Sequence, residues 1–382
     1  MKLCRIATVP FVFIYNLRGQ ITATIKEGHE VYLVSSAGPS LETVGQENGA
    51  HLFPISIHRS ISLWNDLKAL LDLARYFRKM KFDLVHSVTQ KAGLLTALAG
   101  FMTRVPVRLH TFTGQPWMHK RGWVRWASKF CDWLMLKLNT RCYADSQSQS
   151  DYLVQQGIAN KGEIEILGPG SLAGVDLNKF NREMWVSARG QIRRGWNVPD
   201  GACVINFTGR INLEKGIREL IDAFECLDIE QKEIFLLLVG PFEVNREPIP
   251  PELMQRIQKN PHIRVVGESS QPEKFFAISD IFCLPSYREG FGIVALEAAA
   301  MGLPTVGTRV VGLVDAIIDG KTGILVPPKD SQALHKALSR LLADNQCLKK
   351  MGQNAMNHAK SFDSRYINRL VLGEYDKLFA LR

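Results

Sequence analysis

Two carboxylates and two cations carry the most pointed chemistry in this chain. In SYREGFGIVALEAAAMGLP, residues 286–304, Glu289 and Glu297 stand eight positions apart on either side of a glycine-flanked turn. The turn leads from an apolar run at 281–285 into an alanine-rich helical pattern at 292–301. A helix start offers unpaired N–H groups and the positive end of the backbone dipole, so it seats an anion. Carboxylates beside it accept charge-assisted hydrogen bonds from hydroxyl groups. Such a site fits a ligand that joins phosphate to a polyol, as a sugar nucleotide does. Upstream, FTGRINLEKGIREL at 207–220 sets Arg210 and Lys215 around a strand-to-helix loop turned by Gly209 and Gly216. Arginine grips phosphate oxygens bidentately, while lysine acts as a mobile point charge. The plainer alternative is a pair of solvated basic residues, a helix-start charge at Glu289 and a surface Glu297. Against it, Glu297 lies among Val294, Ala295, Leu296, Ala298, Ala299 and Ala300. An unpaired carboxylate among apolar neighbours is costly.

Elements able to position these loops alternate along the whole chain. In the first half, strand-like runs at 5–14, 30–35, 84–86, 107–111 and 141–144 alternate with helical patterns at 63–80, 91–103 and 122–138. In the second half the strands are 202–208, 234–239, 263–266, 281–285 and 305–308. The helices there are 216–227, 251–258, 272–278, 292–301, 311–318 and 331–345. This predicts an α/β protein with parallel sheets covered on both faces. Two such series in 382 residues predict two facing Rossmann-like domains. The boundaries read as 1–168, a turn-rich linker at 169–200, a second domain at 201–360, and a terminal helix at 361–382 packing back towards the first domain. Ligands of open α/β sheets bind at the carboxyl ends of strands, so the motif loops are expected to share an interdomain cleft.

Hydrophobic residues make up 46% and charged residues 22%, as in soluble globular enzymes. Seven scattered cysteines without a CxxC pair point to reduced thiols and a cytosolic setting. No run reaches the roughly 18–20 apolar residues that span a bilayer. The opening MKLCRIATVPFVFIYN lacks a small-residue cleavage site and reads as a buried first strand. With no Asp-x-Asp segment and no spaced His/Cys cluster, no metal is expected. Charge is uneven: residues 1–168 hold 20 Lys and Arg against 12 Asp and Glu, and the remainder 27 against 25. A basic first half points to a polyanionic partner. Trp123, Trp126, Phe130 and Trp133 form one helical stripe, and Arg121, Arg125 and Lys129 another. An aromatic row beside a basic row suits an anionic membrane surface, with Trp123, Arg125, Trp126 and Lys129 as contacts. The alternative packs the aromatics inward and leaves the cations solvated. The stripe Leu63, Leu67, Leu70, Leu71, Ala74 and Phe77 reads as core, with Arg75, Arg78, Lys79 and Lys81 extending the basic face. No nucleic-acid-binding module is recognisable, so nucleic acid is not an expected partner.

Gly209-Arg210, Lys215-Gly216 and Glu289-x7-Glu297 resemble, together and in this order, the retaining glycosyltransferases of family 4. So do LVG at 238–240, EAAAMGLPTVGT, and DGKTGILVPP at 319–328. That family has the two-domain GT-B fold. The likeness is dense over 200–330 and diffuse elsewhere. It implies that Arg210 and Lys215 neutralise a departing diphosphate and that Glu289 meets hydroxyls of the donor sugar. Glu297 would bind the nucleotide ribose, and amides around Gly290, Phe291, Gly292 and Ile293 would complete the seat. Gly240, at a strand end, and residues 266–268 would lie near the base. The first half departs from the pattern. Gly19 is the only glycine in IYNLRGQI, where the family has a glycine-rich loop. HTFTGQPW stands where many members carry His-Gly, which makes His110, Thr113 and Gly114 candidates for the reaction centre. His86 is a further candidate, although a lone histidine is often a structural hydrogen-bonder. Lys91, followed by Gly93, could meet acceptor phosphate. The expected reaction moves a hexose or N-acetylhexosamine from a nucleotide sugar, a UDP-sugar ahead of a GDP-sugar, with no cofactor. The expected acceptor is a polyprenyl-diphosphate-linked saccharide, and the expected place is the cytoplasm, at the inner face of the membrane. A non-hydrolysing sugar-nucleotide epimerase and a catalytically silent saccharide-binding module are the alternatives.

Overall fold

In the computed structural model the described residues are 1–381, apart from 39–40, 44, 46–48, 59–61, 231–232 and 244–246. They form two α/β units, Met1–Gly174 with Ser364–Arg382, and Val175–Asp363. The first is built on seven strands: β1 (Lys2–Ile6), β2 (Glu30–Ser35), β3 (His51–Pro54), β4 (Leu84–Val88), β5 (Val107–Phe112), β6 (Arg141–Ala144) and β7 (Ile164–Glu165). Their order is β3-β2-β1-β4-β5-β6-β7, and neighbours pair in parallel. Continuous burial of β4 and near-continuous burial of β1 and β2 is the mark of a parallel sheet covered on both faces.

On one face lie the helices Phe11–Tyr15, Arg18–Lys26 and Ser364–Ala380. They bury Phe13, Ile21, Val371 and Tyr375 against Leu3, Leu33, Leu84 and Leu109. On the other, Leu63–Met80 and Gln90–Met102 pack Ala69, Leu73, Phe77, Ala92 and Leu95 against Cys4, Val34 and Val85. Gly122–Leu138 follows, with Met135 packed near Ala97, Phe112 and Trp117. The strand expected over 5–14 ends at Ile6. Pro10 has no N–H for a ladder and a φ already set for a helix, and Phe11–Tyr15 starts directly after it.

The second unit has six strands: β8 (Cys203–Thr208), β9 (Ile234–Val239), β10 (Ile263–Gly267), β11 (Ile281–Leu284), β12 (Thr305–Thr308) and β13 (Gly323–Val326). They run in parallel in the order β10-β9-β8-β11-β12-β13. Residues 175–200, expected as linker, belong to this unit and carry the helix Arg189–Gly195. Arg193 is buried there. Its guanidinium donates to the carbonyls of Ile278, Pro199, Asp200 and Ala202 and pairs with Asp280 at 3.0 Å. A charge is tolerated inside because nearly every donor finds an acceptor. The helix expected over 331–345 is Ser331–Ala343, and a further helix, Asn345–Ala359, follows it. They divide at Asp344, whose carboxylate accepts from the Cys347 N–H and caps the second. No helix among the described residues is long and apolar enough to cross a membrane.

Candidate functional site

The carboxyl ends of β8, β9 and β11 in the second unit gather the polar loops. After β8, Gly209 donates its N–H to the Val239 carbonyl at 2.9 Å. Gly240 has φ +133°, and a Cβ there would lie 2.0 Å from the Gly209 carbonyl oxygen. The two strand ends therefore cross with backbone almost in contact, which only glycine permits. The loop continues to Asn212, whose side chain accepts from the Lys215 N–H at 3.0 Å and starts a single 3-10 turn, Leu213–Lys215. Gly216 ends that turn at φ +72°, and a Cβ would meet the Pro285 carbonyl oxygen at 2.1 Å. The strand-end loops after β8 and β11 are thus pressed together.

Side chains fasten the same contact. Tyr287 donates its N–H to the Glu214 carbonyl at 2.9 Å, and the Arg288 guanidinium grips the Glu214 carboxylate at 2.7 and 2.9 Å. Burial works to raise the Glu214 carboxyl, but Arg288, Lys215 and Arg210 outweigh it and hold the group below the ordinary carboxylate range. Lys215 Nζ reaches Glu289 Oε1 at 2.6 Å, and Ser286 Oγ donates to the same oxygen at 2.6 Å. Both partners of this ion pair are largely buried. A Lys–Glu pair held by a second donor in a half-closed setting is fixed in geometry, and its charges stay strong.

Arg210 lies at the other end of the loop. It pairs with Glu243 at 3.0 Å and keeps over a third of its side chain open. Gly290, Phe291 and Gly292 lead into the helix Ile293–Ala300, with Gly292 at φ +82° as its N-cap. Glu297 lies on this helix, partly open to solvent. Its carboxyl has no hydrogen-bond partner among the described residues. Desolvation, only partly offset by Lys179 and aided by Glu273, pushes it up to about 7. Asn212, Glu243, Ser286 and Lys179 were not singled out from the sequence. Of these, only Asn212, a capping type three residues before Lys215, left a local signal.

The first-unit candidates lie on β4 and β5, just beyond β5, and near the starts of two helices. Gly19 lies on the helix Arg18–Lys26, where a Cβ would come 3.2 Å from Asn368 Nδ2. It lets this helix pack closely on Ser364–Ala380. His86 and His110, on neighbouring strands, face opposite sides of the sheet. His86 is sealed between Tyr375 Oη at 2.6 Å and Thr111 Oγ1 at 2.8 Å. Arg5 donates to the same tyrosine oxygen at 2.5 Å, so the hydroxyl joins the arginine to the histidine. Burial, with Arg5 and His110, holds His86 well below the usual histidine range. His110 bonds Ser87 Oγ at 2.9 Å under Gly93, and burial lowers it to about 3. Lys91 pairs with Asp66 at 2.5 Å. Thr113 and Gly114 follow the end of β5 and remain partly open.

The expected membrane row is divided. Trp123 and Trp126 are exposed, whereas Arg125 and Lys129 lie over the Trp117 ring at 5.8 and 6.0 Å, and Arg125 also bonds Gln156. The stripe read as core also divides: Ala74 and Phe77 are buried, but Leu63, Leu67 and Leu71 face solvent. Among the described residues, no three His, Cys, Asp or Glu side chains are grouped to hold a metal ion.

Known proteins bear on both units. Residues 17–170 match the family described as glycosyl transferase 4-like domain, and residues 188–358 match glycosyl transferases group 1. The capsular polysaccharide biosynthesis glycosyltransferase CapM of Staphylococcus aureus is 29% identical over 368 residues, 95% of this chain and 93% of that protein. The crystal structure of Anabaena HepE in complex with UDP and glucose superposes with a TM-score of 0.84. It covers 99% of this chain and all of that one at 20% identity. UDP-GlcNAc 2-epimerase from Neisseria meningitidis, bound to UDP-GlcNAc, follows at 0.70 and 16%, over 98% of this chain and all of that one.

Proposed function

We propose that this chain, a glycosyltransferase of GT-B fold, moves a hexose or N-acetylhexosamine from a UDP-sugar to a polyprenyl-diphosphate-linked saccharide, with retention. The observation that carries the donor half is the Lys215–Glu289 pair at 2.6 Å, pinned beside the crossing of two strand-end loops. It sets a cation for phosphate against a carboxylate for hydroxyls, the two halves of a sugar nucleotide. Arg210, already drawn towards the carboxylate of Glu243, turns to the diphosphate as the second cation. In the reaction the acceptor hydroxyl forms its bond to the anomeric carbon on the face that the diphosphate leaves. The bond from that carbon to the diphosphate oxygen breaks, and the acceptor proton passes to the departing phosphate. Arg210, Lys215 and the amides at the start of the Ile293–Ala300 helix stabilise the negative charge that develops there, so no metal ion is needed. Glu297 takes the ribose hydroxyls. Thr113 and Gly114 remain the acceptor-side candidates, since His86 and His110 are spent on internal bonds.

The relationship to CapM supports surface polysaccharide as the product, and an acceptor anchored in lipid places the enzyme at the inner face of the membrane. The epimerase reading, which the shared fold leaves open, would need acid–base histidines facing the ligand. Both strand-end histidines of the first unit are buried and neutral. The test is incubation with a panel of UDP- and GDP-sugars in excess EDTA, following nucleotide release with and without lipid-linked acceptor. Release of UDP from one donor, accelerated by acceptor, is expected. Interconversion of sugar epimers without net nucleotide release, or loss of all turnover in EDTA, would overturn it.

A further inference from the structure

We infer that the first unit meets an anionic bilayer through two helices, Leu63–Met80 and Gly122–Leu138, with lipid phosphates taken by a basic groove beside the first. This rests on the membrane-surface reading above and adds a face that reading lacked. Leu63 and Trp64 are each 83% exposed, Trp123 is 78% and Trp126 is 69%. Each such side chain left in water forgoes the gain of burial, so a cluster of them calls for a partner.

Leu63, Leu67 and Leu71 repeat at every fourth residue, which sets them in one row with Trp64 beside it. Lys68, Arg75 and Lys79 form the adjoining row on the solvent side of the same helix. These three cations, with His58, Phe53 and Tyr76, line a groove of about 680 Å³ along the edge strand β3. Among the described residues its one carboxylate is Asp72, which pairs with Arg75 at 3.1 Å. An apolar row flanked by a basic one describes a helix lying in the plane of a membrane interface, stem in the acyl boundary and cations at phosphate level.

The second helix is held in the same layer. Both pack on Gln90–Met102. At the start of that helix Lys91 pairs with Asp66 at 2.5 Å, and Gln90 donates to Asp132 at 2.7 Å. The early turns of one helix and the middle of the other are thereby fixed on either side of one helix start. Since Arg125 and Lys129 are turned onto Trp117, the head-group cations near the second helix are the exposed Lys120 and Arg121.

Charge chooses the occupant. The first unit holds 24 Lys and Arg against 14 Asp and Glu, and the second holds 23 of each. The whole surplus therefore lies on the unit that carries the exposed tryptophans, which fits an anionic lipid surface.

The experiment is sedimentation of the full chain with vesicles of phosphatidylcholine alone and of phosphatidylcholine mixed with phosphatidylglycerol. The wild type is expected to sediment only with the anionic vesicles. The double variant Trp64→Ser/Leu67→Ser and the triple variant Lys68→Glu/Arg75→Glu/Lys79→Glu should each weaken binding about tenfold or more. UDP-sugar hydrolysis should be unchanged in both, which shows that they fold. If the wild type ignores anionic vesicles, the membrane reading and this inference fall together. If it binds and both variants bind equally well, only the two-helix contact falls. Loss in the triple variant alone, with displacement of the wild type by soluble dextran sulfate, would make the face a polyanion groove. Self-association of the wild type in sedimentation velocity, abolished by the double variant, would make it a contact between copies. Either result overturns the bilayer.

Discussion

At the strand ends of the second unit, ionised side chains are paired across loops and still reach solvent: Lys215 with Glu289, Arg288 with Glu214, Arg210 with Glu243. At the strand ends of the first, His86 and His110 are neutral and sealed. The outer surfaces reverse the contrast. Among the described residues, no aromatic side chain of the second unit is a large exposed hydrophobic, while the first unit exposes four tryptophans. One unit keeps its chemistry in a cradle of charges and the other turns an apolar, basic exterior outwards. A polar site must be pre-formed to act on charge, and a surface for a fluid partner need only be displayed.

The sharpest way to break this contrast is at the cradle. Arg210→Ala and Lys215→Ala should each lower turnover about 100- to 1,000-fold. Lys215→Ala should also lower the melting temperature, because it strands the nearly buried Glu289, and Arg210→Ala, which opens a pair already partly in solvent, should lower it less. Steady-state rates and thermal melts of the two variants check both halves, and wild-type rates would dissolve the cradle. Next in size, Gly216→Ala should cost about 2–4 kcal/mol in denaturant titrations, since a Cβ would sit 2.1 Å from a carbonyl oxygen at positive φ. A smaller effect is expected in the sealed region. Tyr375→Phe removes the hydroxyl between Arg5 and His86 and should cost about 1–3 kcal/mol. UDP-sugar hydrolysis at the optimum should be untouched; a large loss of rate would mean that the sealed histidine works in the reaction.

The smallest effect is a slope. Burial raises the Glu297 carboxyl from 4.5 to about 7 in the folded chain. The folded state holds that proton more tightly than the unfolded one, so the stabilisation is full below pH 4.5 and lost as pH rises through 7. Glu297→Gln should remove this part of the decline, gaining stability relative to wild type at pH 8 and not at pH 4. It should also weaken UDP binding, as read by calorimetry.

The second unit was the more legible because its signals are local. Glycine, a cation and a carboxylate within one strand–loop–helix unit mark a ligand loop wherever the sheet lies, and Gly209, Lys215 and Glu289 fall where those units end. What periodicity reports is that a helix has an apolar side. Leu63–Met80 has two: Ala69, Leu73 and Phe77 meet the sheet, while Leu63, Leu67 and Leu71 do not. Only the third dimension separates them. The same holds for Arg193, which lies in a stretch read as linker from its turn residues and is buried among carbonyls, and for His86, whose partner Tyr375 lies 289 residues away.

That separation bears on the order in which the protein is made. The second unit is one continuous stretch, so its sheet and helices need no residue beyond 363. The first unit begins the chain but lacks the helix Ser364–Ala380 until the end, and with it the hydroxyl that Arg5 and His86 share. The final packing of the first core therefore depends on chain made after the whole of the second unit. Until the last helix arrives, the earlier half waits with one face of its sheet partly bare and a buried arginine short of a partner.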